Sequence, residues 1–588
     1  MTQLDKVALF FSIGLIVLTI MAYRRRAETP DGFIRGSGSV PWWMAGSTAF
    51  MTQFSAWTFT GAAQKAFENG FSVLIIFWGN ALGFLLAALY FAPRFRRLRA
   101  STYSDIIALR YGTATQLLYV ISQIFLTLMT ASIGLYGVSL FLSAVLGLSV
   151  LTIAVLIGLI IIAITLIGGV WIVSANNFIQ MMQLAVLTLV IGGFCISLLT
   201  NDSLPMPTFD KTFWVGGSDY SVAIMLVWSA AMLIKQFISI NNATSSYRFL
   251  TTVDDSGARK AALLASILFV IGPVTWFLPP WLMGAAGIDL AALYPQLGED
   301  AANVAYVHFI IHYLPSGVLG LVVSAMLAVT IAPITTAFNR DAGVVMRLVM
   351  PLLKESGDMA RRLVGIGRVF GVVQGITVVL FVIGLSHLEM LSLFDIMIMF
   401  GVLLQMPLAL PALMVLFDTR APDWAGWGSV LVGISVTLAS YLWLDGETLK
   451  HVAGLGDFPD KQLVDIRLAL ALVIQIISVV GFLLVARFVH SPARSSQRRA
   501  ELAQFFANLM KPVVADAPAG ESSLSGALSK ANARTNSRTS RNVSMPTRLL
   551  WVAAVLSLAL AVFSSSLAGA AFFLCVAIGQ LVMAQLMR

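Results

Sequence analysis

The stretch Thr52-Gln53-Phe54-Ser55-Ala56-Trp57-Thr58-Phe59-Thr60-Gly61 lies inside an apolar run at about 42–65. Few structural helices in lipid place so many hydroxyls and amides in one turn or two. The bilayer core offers no water to a freed backbone group, so unwound main chain at membrane depth survives only where it lines a protected polar site. The stretch therefore reads as a break in a spanning helix at a solute site. The competing reading is a packed helix interface that uses Ser and Thr as hydrogen-bonding glue.

The run spans a membrane because of the company it keeps. The chain has 588 residues, 58% hydrophobic and 11% charged, whereas soluble domains carry about 25% charged residues. A spanning helix needs about 20 largely apolar residues. Such runs occur near 7–22, 42–65, 71–92, 115–145, 150–168, 175–199, 220–241, 260–283, 316–339, 363–386, 391–417, 425–444 and 466–489. A final run, 549–587, is broken by Ser564-Ser565-Ser566 and Gly569. As one helix it would measure about 60 Å, twice the hydrocarbon thickness, so it reads as two spans. The expected fold is an all-α polytopic membrane protein with about 13 spans and a C-terminal hairpin.

Charge sets the threading. Lys and Arg number 37 against 28 Asp and Glu, a net +9. The first run is followed by Arg24-Arg25-Arg26 without a small-residue cleavage site, so it reads as an anchor rather than a signal peptide. With those arginines inside, the N-terminus is outside, and loops 24–40, 93–114, 242–259, 340–362, 418–424 and 490–548 fall on the cytoplasmic side. They hold Arg94, Arg96, Arg97, Arg99, Arg110, Arg347, Lys354, Arg361 and Arg362. The opposite loops, near 201–219, 284–315 and 445–465, hold only Lys211, Lys450 and Lys461. The positive-inside rule supports this one threading, in a bacterial inner membrane, and explains the net charge without a nucleic-acid partner.

The map divides into 1–40, an extra helix and loop; 41–418, a core; 419–490, additional spans; 491–547, a linker; and 548–588, the hairpin. The linker is rich in Ser, Ala, Asn and Arg and cannot bury enough apolar surface to fold alone. It carries a short amphipathic helix near 499–511 and offers a surface to a cytoplasmic partner. Cys195 and Cys575 lie in apolar runs, which leaves no disulfide framework or Cys-based metal site. No GxxxxGK[ST] phosphate loop is present, so ATP bound through that motif does not drive the chain.

Ionisable groups at membrane depth are costly and mark function by default. Lys235, in Val227-Trp228-Ser229-Ala230-Ala231-Met232-Leu233-Ile234-Lys235-Gln236-Phe237, sits too far from either end to snorkel easily. It reads as a cation lining a polar cavity or, alternatively, as one paired with a structural carboxylate. Thr330, Pro333, Thr335, Thr336 and Asn339 form a further polar group on one helix, where proline frees a carbonyl for a hydroxyl or an ion. His308 and His312 have the i,i+4 spacing of a metal pair but lack a visible third ligand. Glu389 and Asp395 read as solvated carboxylates near a span end, and Trp42, Trp43, Trp276 and Trp281 as interface anchors.

Phe33-Ile34-Arg35 through Val40-Pro41-Trp42-Trp43-Met44-Ala45-Gly46, and Gln53 through Gly70, resemble the entry motif and first core helix of the sodium/solute symporter family. Thr102-Tyr103-Ser104-Asp105-Ile106-Ile107-Ala108-Leu109-Arg110-Tyr111-Gly112 is similar to that family's T-x-x-E-x-x-x-x-R-Y-G loop. Gly168-Gly169-Val170-Trp171 to Gln180, Tyr247-Arg248, and Gly320 to Asn339 follow in the family's order. The resemblance implies a LeuT-type core of two inverted five-helix repeats, here about 42–199 and 220–417, with flanking helices. Their first helices, 42–65 and 220–241, would be the broken ones, and these carry Gln53 and Lys235.

The resemblance also implies a sodium site of backbone carbonyls at Met51, Phe54 and Val329, with hydroxyls at positions that are Ala332 and Pro333 here. Neither residue has a hydroxyl, and the family's acidic position falls on Asn177. The expected site is degenerate, sodium coupling is doubtful, and the coupling ion is sodium or a proton. Thr330, Thr335 or Thr336 would restore a displaced site. No cofactor is expected.

These readings combine into a secondary transporter that takes up a small organic solute by alternating access. Gln53, Trp57, Lys235 and Ser239 line its central site, and Lys235 favours an amino acid or organic acid. The 54–63 stretch also looks like transporter modules fused to bacterial sensor kinases. That keeps open a membrane sensor or scaffold that binds without transporting. An enzyme is disfavoured, because no catalytic constellation converges within the spans.

Overall fold

A computed structural model describes residues 3–23, 28–54, 56–201, 203–205, 211–215, 221–315, 317–353, 358–385, 401–444, 460–489 and 496–514. The C-terminal hairpin, the remainder of the linker, and Glu389 and Asp395 lie outside these residues. The principal helices are α1 (Gln3–Tyr23), α2 (Trp42–Met51), α3 (Gly61–Asn69), α4 (Leu74–Leu86), α5 (Tyr103–Leu146), α6 (Val150–Ile167), α7 (Val170–Thr200), α8 (Val222–Ile240), α9 (Asp255–Trp276), α10 (Val318–Val349), α11 (Met359–Leu385), α12 (Ala425–Trp443), α13 (Asp460–Ala486) and α14 (Ser496–Met510).

Ten helical stretches among the described residues are long and apolar enough to cross a membrane. Three predicted spans stand apart from the ten. The 7–22 run is helical, within the 21-residue α1. The 42–65 run is interrupted, and the 391–417 run is described only from Gly401, as the segment Gly401–Gln405 and the helix Met406–Met414.

Lipid tails are as apolar as leucine, so packing and hydrogen bonds rather than water exclusion hold such helices together. Two groups result. Helices α2, α4, α8 and α9 pack on one another, as do α5, α6, α10 and α11, while α7 touches members of both groups. Most buried hydroxyls merely close onto their own helix. Ser47 donates to the Trp43 carbonyl, Thr165 to Ile161, Ser324 to Gly320 and Thr330 to Met326.

The loops that charge assigned to one side do meet at one end. Arg96 Nε donates to the Thr252 carbonyl at 2.7 Å, and Arg97 pairs with Asp255 at 2.6 Å. Arg347 pairs with Asp105, and buried Asp418 receives both Arg110 and Arg487. The helix α14 packs onto the same end. It buries Leu502, Phe505 and Leu509, pairs Arg498 with Asp423 at 2.8 Å, and accepts Arg97 Nη1 at its Leu509 carbonyl. The apolar face predicted for the linker helix is thus spent on its own chain. At the other end, the Asp5 carboxylate accepts from the Gly317 and Gly320 amides at 3.0 and 2.9 Å. That satisfies orphan donors at the start of α10.

Three expectations change. Residues 102–112 form no loop: Thr102 and Asp105 make a reciprocal capping box that starts α5. Gly112, at φ +82°, kinks this 44-residue helix after its first nine residues. Trp276 and Trp281 are no interface anchors, being buried with their indole N–H groups on Thr188 Oγ1 and the Gly70 carbonyl. The third change concerns the breaks that frame the cavity.

Candidate functional site

The first core helix stops where its hydroxyl-rich stretch begins. Thr52 Oγ1 turns back onto the Ala49 carbonyl at 3.2 Å, offering the backbone an alternative to the helix. The Gln53 and Phe54 amides close short turns onto Phe50 and Met51. A 3₁₀ turn, Ala56–Phe59, follows before helix resumes at Gly61. The break predicted at Gln53 is therefore present.

The second predicted break is displaced. Helix α8 runs unbroken through Lys235 to Ile240, because Ala230 to Phe237 contains nothing that ends a helix. It stops at Asn241 and Asn242. The Asn242 amide donates to the Ile238 and Ser239 carbonyls at 2.9 Å each, and its Oδ1 accepts from the Ser245 amide and Thr244 Oγ1. Asn241 Nδ2 crosses to the Gly83 carbonyl at 3.0 Å. The chain then turns through Ala243–Ser245 into the short helix Tyr247–Leu250.

Between the two helix groups lies a cavity of about 310 Å³, and Gln53, Trp57, Lys235 and Ser239 all line it. Trp57 stacks near Phe77, with ring centres 6.3 Å apart. Phe54 and Phe59 turn into an aromatic cluster with Trp276 and Tyr306, while Phe54 also reaches the cavity wall. Opposite, Thr127, Thr130, Thr330 and Ala337 come from α5 and α10.

Three cations line the cavity, Lys235, Arg248 and Arg340, and no carboxylate does among the described residues. Arg340 is paired with Asp341 at 2.9 Å and reaches Thr127 Oγ1 at 2.7 Å. Arg248 is engaged by the Ser245 and Ala49 carbonyls at 2.8 and 3.4 Å. Tyr247 lies between them, with each guanidinium within 6 Å of its ring. Lys235 is 7% exposed, and no hydrogen bond or ion pair to a described residue holds its ammonium. Its pairing with a structural carboxylate, the alternative left open by the sequence, is not found among the described residues.

The residues matched to a sodium site are arranged differently from the expectation. The Met51 carbonyl already accepts the Phe54 amide at 3.3 Å. Pro333 lacks the N–H that would bond the Val329 carbonyl, yet the nearby hydroxyls do not replace it. Thr330 bonds Met326, Thr335 bonds Ile331 and Ala332, and Thr336 bonds Ala332. Ala332 and Pro333 contribute no side-chain oxygen. One turn further on, Asn177 Nδ2 donates to Thr48 Oγ1 and Thr336 Oγ1 at 3.2 Å each, bridging α2, α7 and α10. Asn177 Oδ1 and both amide atoms of Gln180 are buried without a hydrogen-bond partner among the described residues.

Several wall residues escaped the sequence reading. Asn80, which accepts Gln236 Nε2 at 2.8 Å, and Gln405, which donates to Ser239 Oγ at 3.0 Å, both line the cavity. So do Gln123 and Arg340. Each is a polar residue within or beside an apolar run, the same signal that identified Lys235. His308 and His312 lie elsewhere. His308 Nδ1 meets Tyr294 Oη at 3.0 Å, and burial, then His312, hold its imidazole below the ordinary range.

A family model described as Sodium:solute symporter family matches residues 33–426. The sodium/sialic acid symporter NanT of Aliivibrio fischeri is 24% identical over 469 residues, covering 76% of this chain and 88% of that protein. The sodium/sialic acid symporter SiaT of Proteus mirabilis is 23% identical, covering 74% and 88%. The solved substrate-bound, outward-open structure of a Na+-coupled sialic acid symporter superposes with a TM-score of 0.63 at 20% identity, covering 84% of this chain and 99% of that one. This likeness shows the LeuT-type fold.

Proposed function

Because the chain belongs to the Sodium:solute symporter family, we propose that it takes up a small carboxylate-bearing solute together with a cation by alternating access. The carrying observation is a cavity in which, among the described residues, Lys235 has no partner and no carboxylate lines the wall. A buried ammonium strongly favours an anionic partner, since leaving it unpaired is costly. Gln53, Ser239 and Gln405 would bind the neutral polar part of the solute, and Trp57 its apolar face. Relatives named for sialic acid, an acidic sugar, fit this charge.

Sodium is the proposed coupling ion. The missing hydroxyls at Ala332 and Pro333 argued against it, but the two relatives named above are sodium symporters by name. Oxygens that would serve stand one turn away. Rotating the Asn177 amide would bring its Oδ1 beside the Thr48 and Thr336 hydroxyls, an oxygen set suited to a hard cation. The arginine-rich end of the molecule would face the cytoplasm, with the N-terminus outside.

Uptake of radiolabelled sialic acid, proline and lactate into proteoliposomes, with sodium or choline outside at fixed pH, tests this reading. Accumulation of one acid driven by a sodium gradient is expected. Accumulation driven equally by a proton gradient without sodium would overturn the ion assignment. Saturable binding without accumulation or exchange would favour a sensor.

A further inference from the structure

Gly401 lies in the π-helical segment Gly401–Gln405. A single π turn offsets the side chains that follow it and recurs at functional sites. This one is tied to α8 at two points. Gln405 Nε2 donates to Ser239 Oγ, and Gly401 lies against the end of Lys235. A Cβ placed on residue 401 would stand 2.7 Å from both Cε and Nζ of Lys235. Any other residue at 401 would push the ammonium away. The obstructing atoms end a flexible side chain, so the backbone need not move.

Among the described residues of the cavity wall, the other two cations already have partners: Arg340 the Asp341 carboxylate, and Arg248 the Ser245 and Ala49 carbonyls. Charge recognition in the cavity therefore falls to Lys235, and its position is set by what residue 401 lacks. We propose that Gly401 is a specificity-determining position: it seats the Lys235 ammonium so that the corner between the π segment and α8 binds a monocarboxylate in preference to its neutral analogue. This rests on the transport reading above and names the part of the site that discriminates charge.

The test compares wild type, Gly401→Ala, Lys235→Gln and the double variant by uptake and thermal stabilisation. Sialic acid and lactate are each set against their neutral amides. The expected result is a carboxylate-over-amide preference in wild type that falls about tenfold in Gly401→Ala, the scale of one charge-assisted hydrogen bond weakened by about 1.4 kcal/mol. In the Lys235→Gln background the same alanine should change the preference no further. Equal effects of Gly401→Ala on acid and amide would overturn the role of Gly401 while leaving the carboxylate reading intact. A preference that survives Lys235→Gln, or a wild type that prefers the amides, would overturn both. Melting temperatures taken alongside identify a variant that merely misfolds, and Gly401→Ser then repeats the comparison.

Discussion

The chain leaves the α-helix after Met51 and regains it at Gly61, whereas through Lys235 it never leaves the helix at all. Both segments run through the same cavity, and both looked like broken helices. The first brings hydroxyls, an amide and irregular backbone to the wall. The second brings a charge on a rigid rod and breaks only beyond it, at Asn241 and Asn242. A density of residues that compete for backbone hydrogen bonds ends a helix. A single buried lysine does not, because its stem is a good helix former and only its tip is polar. Polarity in an apolar run thus marks the cavity, while only the competing residues mark the break.

Four changes would break or sharpen this contrast. The largest effect is expected at the rod. Lys235→Met should lower uptake of the transported acid about 100-fold or more, the scale of removing a buried charge-assisted hydrogen bond with nothing to replace it. Initial rates in proteoliposomes measure it, and a fall of less than about threefold would take Lys235 out of the binding step. Next is the break after the rod. Asn242→Ala removes the side chain that holds the Ile238 and Ser239 carbonyls and the Ser245 amide. It should cost about 1–2 kcal/mol of stability by chemical denaturation.

Asn177→Asp addresses the first segment's neighbour. A carboxylate between Thr48 and Thr336 should lower the sodium concentration for half-maximal uptake several-fold, roughly as expected for one added charge near a partly buried cation. An unchanged sodium dependence would separate the Asn177 bridge from coupling. The smallest effect belongs to the arginine-rich end. Arg498→Ala breaks the pair with Asp423, in which Arg498 is 17% and Asp423 32% exposed, and should cost about 0.5–1 kcal/mol. Thermal unfolding checks it, and a larger cost would mean that α14 holds the arginine-rich ends of the helix groups together.

Much of the architecture was legible because hydropathy and charge act over whole segments. Span positions, the shared face of Arg96, Arg97, Arg110 and Arg347, and the linker helix all follow from such sums. The cavity was legible in part, through Gln53, Trp57, Lys235 and Ser239. Asn80 and Gln405 were not, because one amide in an apolar run is also what a helix interface uses. The seating of Lys235 against Gly401 is a matter of ångströms between segments far apart in sequence, and no local pattern encodes it. Trp276 and Trp281 misled for the same reason: a tryptophan near a span end reads as an anchor until the neighbours that bury it are known.

The central claim is that residues of the first and second core segments face one solute cavity. In a background with Cys195 and Cys575 replaced by serine, Gln53→Cys and Ser239→Cys can be alkylated by a small water-soluble maleimide. The account predicts that the transported acid with sodium slows labelling at both positions in parallel, and that its amide does not. Labelling at one position unaffected while the other is protected, or both unreactive under all conditions, would contradict it.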